Sequence, residues 1–118
     1  MPELTTVIYP VKDIAAAKEL YGKLLGVTPY ADEPYYVGFK VGDIDFGLDP
    51  NGHAKGMTGP VVYWRVDDLD ANLEALVAAG AQVQQPVQDV GGGRRIATVT
   101  DADGNPIGLL QDDPEGPK

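Results

Sequence analysis

The sequence predicts an α+β fold: two tandem βαβββ modules whose strands form a curved mixed sheet around a concave cleft, with the helices on the outer face. Three observations predict it. A β-prone run feeds into an acidic helix cap twice, as VIYPVKDI at 7–14 and VVYWRVDDL at 61–69, with Asp13 and Asp68 at corresponding places in the two repeats. Each helical pattern ends near a glycine and is followed by strand-like runs bounded by turn residues. The whole chain is 118 residues, the size of a single domain. The first module covers roughly residues 4–50, the second roughly 60–112, and a polar tail follows at 113–118.

Residues 4–11, LTTVIYPV, read as the first strand. Ile14, Ala17, Leu20, Tyr21, Leu24 and Leu25 then recur at helical spacing. Asp13 suits the N-cap, because its carboxylate accepts from free N–H groups of the first turn. Gly26 suits the left-handed position after the last turn. Runs 35–41 and 44–48 are separated by Gly42-Asp43, which predicts a hairpin with Val41 opposite Ile44. Alternation then places Val37, Phe39, Val41, Ile44, Phe46 and Leu48 on one face, and Tyr36, Gly38, Lys40, Asp45, Gly47 and Asp49 on the other. Residues 50–60 form a Gly- and Pro-rich connector.

In the second module, 61–66 is a strand. Asp68 caps a helix bearing Leu69, Leu73, Leu76 and Val77, and Gly80 closes it. Strands follow at 82–90, 94–100 and 107–111, the last preceded by the turn sequence Asp101-Ala102-Asp103-Gly104-Asn105. In each module the face packed on the helix must be apolar. The other face is released to line the cleft and carry chemistry.

Composition removes several classes of function. With no cysteine there is no disulfide, thiolate metal site or cysteine nucleophile. His53 is the single histidine, which excludes a two-histidine metal site within one chain. The net charge of −9 opposes a phosphate backbone, so nucleic acid is not an expected partner, and it favours cationic ligands by long-range attraction. No apolar run approaches the ~20 residues of a membrane span, and Met1-Pro2-Glu3 lacks the features of a signal peptide. The expectation is a cytoplasmic protein without membrane partners.

The chain resembles the vicinal oxygen chelate superfamily, which includes glyoxalase I, the bleomycin resistance proteins and extradiol dioxygenases. The resemblance is carried by VKDIAAAKELYGKLLGV at 11–27, its repeat VDDLDANLEALVAAGA at 66–81, and the closing hairpin TDADGNPIGLLQ at 100–111. The last of these is similar to the family's D-P-D-G-N turn, with Ala102 at the proline position. The resemblance implies that a divalent ion, where a member has one, is held by one side chain from each of four strands. The matching positions here are Thr6, Gly47, Val61 and Gly108. Only threonine has a donor, and a weak one, so the resemblance implies a member without metal or other cofactor. Members also pair, so a homodimer is expected, with Pro10 as a candidate hinge because it cannot donate a ladder hydrogen bond.

Several residues are candidates for the cleft. Tyr36 and Tyr63 have cleft parity in both modules and pair an apolar ring with a hydroxyl. Ile8, Asp45, Gly47, His53, Arg65, Arg94, Thr98 and Gly108 complete the expected ligand-binding set. His53 and Asp49 are the candidates for proton transfer; each also has a plain reading, as a loop histidine and a solvated strand-end charge. Arg65 and Lys40 could pair with Asp45 and Asp49. Tyr9, Trp64 and Tyr35 have core parity. Gly91-Gly92-Gly93 beside Arg94 and Arg95 reads as a flexible loop able to close over a ligand, or as a loop tied by an Asp89–Arg95 ion pair. The function ranked first is a metal-free protein of the bleomycin-resistance type that binds a small antibiotic or metabolite. A metal-independent isomerase or lyase is the alternative. A metalloenzyme ranks below both, and a partner-binding domain with an empty cleft is the fourth possibility.

Overall fold

Two aspartates start the two helices in the same way. In the computed structural model, which describes residues 2–112, Asp13 Oδ1 accepts from the Ala16 N–H at 3.1 Å and Asp68 Oδ1 accepts from the Ala71 N–H at 3.0 Å. Each satisfies one of the amide groups that the first turn leaves without an intrahelical partner. Helix α1 spans Ile14–Leu25 and α2 spans Leu69–Ala78. Gly26 ends α1 at φ +71°, and its N–H donates to the Gly22 carbonyl. The expected tail at 113–118 lies outside the described residues.

The strands are β1 (Glu3–Pro10), β2 (Ala31–Glu33), β3 (Tyr36–Val41), β4 (Ile44–Asp49), β5 (Val61–Arg65), β6 (Gln82–Gly91), β7 (Arg94–Thr100) and β8 (Pro106–Gln111). The chain is α+β and divides into two compact units. One is Thr5–Val61; the other takes in the chain from Val62 together with the first residues through Leu4.

In the first unit the strand order is β2-β3-β4-β1, with β1 parallel to β4 and the remaining pairs antiparallel. The Gly42-Asp43 hairpin has the expected register: Val41 faces Ile44, Phe39 faces Phe46 and Val37 faces Leu48. Gly42 takes φ +59°, a conformation that favours glycine. Val37, Phe39 and Leu48 are buried against α1, with Tyr9, Ile14, Ala17, Tyr21, Leu25 and Phe46 packed around them. Tyr9 and Tyr21 bring their ring centroids to 5.0 Å.

The short strand β2 was not expected, and part of the expected α1 stripe is misplaced. Leu20 and Leu24 are 65% and 73% exposed. The buried stripe is Ile14, Ala17, Tyr21 and Leu25; Leu20 and Leu24 each sit one residue, about 100°, to its side.

In the second unit the order is β5-β8-β7-β6, with β5 parallel to β8. Helix α2 lies over β7 and β8. Leu69, Leu73 and Leu76 pack on Ala97 and Leu109, while Val77 is exposed. The Gln111 side-chain oxygen accepts from the Leu69 N–H at 2.7 Å and ties the last strand to the start of the helix.

Trp64 has the expected parity, opposite Leu109, yet it is 39% exposed, because the helix covers β7 and β8 rather than β5. Tyr35 is also exposed; it stands in the turn before β3 and not in a strand. The triglycine segment is no extended loop. β6 runs to Gly91 and β7 begins at Arg94, so Gly92 and Gly93 form a tight turn at φ +65° and +80°. Asp89 accepts from the Gly91 N–H at 2.8 Å, and Arg95 instead pairs with Asp70 at 3.0 Å.

Candidate functional site

Glycines in strands mark places where other atoms approach the backbone. On the face of the first unit turned away from α1, two such glycines are covered by tyrosines. A Cβ at Gly47 would meet the Tyr36 hydroxyl, with Ile8 Cδ1 at 2.6 Å; a Cβ at Gly38 would meet the Tyr30 ring and hydroxyl at 2.8 Å. Ile8 stands directly opposite Gly47 in the β1–β4 pairing. The Tyr30 hydroxyl interacts with Tyr36 and Asp45, and Asp45 pairs with Lys40 at 3.3 Å. Burial, and then the Asp45 charge, hold the Tyr30 phenol above its ordinary value. The structure thus brings Ile8, Tyr36, Asp45 and Gly47 together, and adds Tyr30. Sequence reasoning passed over Tyr30, although Gly38 at a cleft-parity position signalled that a large group would lie over it.

The two proton-transfer candidates lie at the end of β4 and beyond. Asp49 is 9% exposed. Its carboxylate accepts from the Asn51 N–H at 2.8 Å and from Lys55 Nζ at 2.9 Å, while its carbonyl accepts from the amides of Val11 and Gly52. Asp49 therefore anchors the connector to the sheet. His53 is exposed and opens a short 3-10 turn, His53–Lys55, that closes with Gly56 N–H donating to its carbonyl. Pro10 ends β1 opposite Asp49, and a Cβ at Gly52 would strike its ring at 2.6 Å.

The second unit repeats the arrangement. Tyr63, Gly108 and Thr98 face one another across β5, β8 and β7. The Tyr63 ring fills the space above Gly108, where a Cβ would lie 2.5 Å from Cδ1 and 2.7 Å from Cγ. Thr98 is 4% exposed, and its hydroxyl has no hydrogen-bond partner among the described residues.

Further along the same strands, Arg94 Nε donates to Asp112 at 2.8 Å. Arg65 bridges Glu3 at 3.0 Å and Asp112 at 3.6 Å. The hydrogen bond from Arg94, with help from Arg65, holds the Asp112 carboxyl below the usual range. Glu3, first, and Asp112 raise the Arg65 guanidinium. Arg65 thus pairs with Glu3 and Asp112, and of the pairings expected with Asp45 and Asp49, that of Lys40 with Asp45 forms. Asp112 was missed as a partner, although the alternation Gly108, Leu110, Asp112 marks its face.

These residues do not fit a bound divalent metal. Of the four positions the fold family would use, Gly47 and Gly108 carry no donor, and their side-chain space is taken by Tyr36, Ile8 and Tyr63. Val61 is a buried hydrocarbon. Thr6 donates its hydroxyl to Thr5 Oγ1 at 3.5 Å. Among the described residues no group of three or more His, Cys, Asp or Glu side chains could hold an ion.

A strand, a capped helix and further strands, given twice with a first strand parallel to a later one each time, define a paired βαβββ protein. The chain belongs to the Glyoxalase/Bleomycin resistance protein/Dioxygenase superfamily, whose model matches residues 3–109. Among curated proteins it is similar to "Putative glyoxylase CFP32" of Mycobacterium bovis, at 32% identity in an alignment 112 positions long that covers 84% of this chain and 41% of that protein. The chain thus spans about two-fifths of the length of the curated relatives it matches. A solved member of the same superfamily from Vibrio splendidus aligns with a TM-score of 0.71 at 17% identity, over 95% of this chain and 99% of that one. The Mn(II)-bound glyoxalase of Novosphingobium aromaticivorans aligns with a TM-score of 0.67 at 22% identity, over 95% of this chain and 40% of that one. Both share the fold.

Proposed function

We propose that this chain binds a small organic molecule, an antibiotic or a metabolite, against the helix-free face of its sheet and does so without a metal ion. The observation that supports this most is the replacement of donors by aromatic covers. Where the fold family places metal ligands, Gly47 and Gly108 lie beneath Tyr36 and Tyr63, each a flat apolar ring with a polar end. Such surfaces suit stacking and hydrogen bonding to an organic ligand. Membership of a superfamily that takes in glyoxalases, bleomycin resistance proteins and dioxygenases adds support. The net charge of −9 favours a cationic molecule by long-range attraction. Turnover through His53 and Asp49 has no comparable support, since the Asp49 carboxylate is engaged by Asn51 and Lys55.

The test is calorimetric and NMR titration with a panel of cationic and aromatic antibiotics and metabolites. At least one should bind with Kd below about 1 mM and shift the amides of Gly47 or Gly108. A panel in which none does so would remove the proposal.

A further inference from the structure

The hydroxyl of Thr98 is out of place by ordinary rules. It is buried in the middle of β7 and has no hydrogen-bond partner among the described residues, although Gln85 stands opposite it on β6. Valine has almost the same shape and would leave nothing unsatisfied. Buried polar groups are hydrogen-bonded in the great majority of cases, and one that is not weakens the fold. Thr98 stands directly opposite Gly108, the one residue of that row without a side chain, and the space above Gly108 is held by the ring of Tyr63. A ring lying over a glycine is a movable cover: rotation about two side-chain torsions takes it away, whereas a side chain at position 108 would be fixed there.

We propose that Thr98 determines specificity on this face, its hydroxyl meeting an uncharged oxygen, a carbonyl or hydroxyl, of the bound molecule in the slot that opens over Gly108 when the Tyr63 ring swings aside. The inference rests on the small-molecule reading above and names the group recognised. The group is uncharged because the cations of this face stand further along the strands, where Arg65 and Arg94 are already engaged by Glu3 and Asp112. A charge placed beside Thr98 would be buried without a partner. The hydroxyl meets a carbonyl as donor and an alcohol as donor or acceptor.

The experiment uses the full chain with acetophenone and benzyl alcohol as oxygen-bearing probes and ethylbenzene as the hydrocarbon of similar shape. Binding is followed by amide and tyrosine NMR shifts, with Thr98→Val and Thr98→Ser as variants. The wild type should prefer the oxygen-bearing probes and shift the signals of Tyr63, Thr98 and Gly108. Thr98→Val should lose about tenfold in affinity for them and none for ethylbenzene, while its Tm rises by about 3–6 °C as the unsatisfied hydroxyl is removed. Thr98→Ser should keep the preference. Equal binding of all three probes by the wild type, no binding of any, an unchanged preference in Thr98→Val, or a lower Tm in Thr98→Val would each overturn the role of Thr98. The small-molecule reading stands or falls separately, on the antibiotic and metabolite panel.

Discussion

At the scale of single residues, the two glycines under tyrosines differ in how much they tolerate. An alanine at Gly47 would press on the ends of Tyr36 and Ile8, which can move. An alanine at Gly108 would press on Cγ and Cδ1 of Tyr63, close to the root of the side chain. Gly108→Ala must displace the whole Tyr63 ring from its place and should lose about 1–3 kcal/mol in urea denaturation, and Gly47→Ala, which shifts only side-chain ends, less; equal losses would mean that displacing the Tyr63 ring costs no more than shifting the Tyr36 tip. Asp49 sets a second residue-scale expectation. Its carboxylate holds the Asn51 amide and Lys55 while nearly buried. Asp49→Ala should destabilise by about 1–3 kcal/mol, seen as an earlier urea midpoint. The proposed binding should survive in the folded fraction, because the carboxylate serves the connector. Loss of binding at full stability would instead make Asp49 a ligand group.

At the scale of elements, the two helices depend on the same device. Asp13→Ala and Asp68→Ala should each lower stability by about 1 kcal/mol, measured by chemical denaturation, since each removes an acceptor at 3.0–3.1 Å from a first-turn amide. The β7–β8 turn is built on another carboxylate. Asp101 accepts from the side chain of Asn105 at 3.0 Å and from the amides of Asn105 and Asp103 at 2.8 and 2.9 Å. These bonds, the Asn105 side chain first, hold its carboxyl below the ordinary value. A carboxyl lowered in the folded state contributes stability that is present above the unfolded value of about 4 and is lost as pH falls through the folded one. Asp101→Asn should therefore flatten the acid limb of a stability–pH curve below about pH 4, leaving its neutral limb parallel to the wild type. An unchanged acid limb would show that the turn carboxylate carries no such dependence.

At the scale of the whole chain, eighteen acidic residues face nine basic ones. Ion pairs such as Lys18–Asp32 at 3.0 Å and Lys23–Glu19 at 3.4 Å are exposed and individually weak. Repulsion among the surplus carboxylates then sets the response to salt. Raising sodium chloride from about 10 to 150 mM, which shortens the screening length from about 30 to 8 Å, should shift the urea midpoint upward. A downward shift would show that the ion pairs outweigh the repulsion.

Much of the scaffold was legible because it rests on local chemistry: Asp13 and Asp68 as caps, Gly26 and Gly42 at positive φ, and alternation that sorted Val37, Phe39, Phe46 and Leu48 from Tyr36, Gly38, Lys40 and Asp45. These signals involve neighbours a few residues apart, and spacing alone encodes them. The sequence likewise marked Gly47 and Gly108 as positions without donors, which chemistry fixes whatever the fold does. What it left open was which atoms fill the space those glycines release, which leucines of α1 meet the sheet, and where Arg65 and Arg95 find their carboxylates. Those depend on contacts such as Arg65 with Glu3, 62 residues apart, and on which strands a helix covers. Tyr30 over Gly38, Tyr63 over Gly108 and the Thr98 hydroxyl, without a partner among the described residues, arise only when distant segments pack. Packing is decided by three-dimensional fit, and no periodicity in the chain records it.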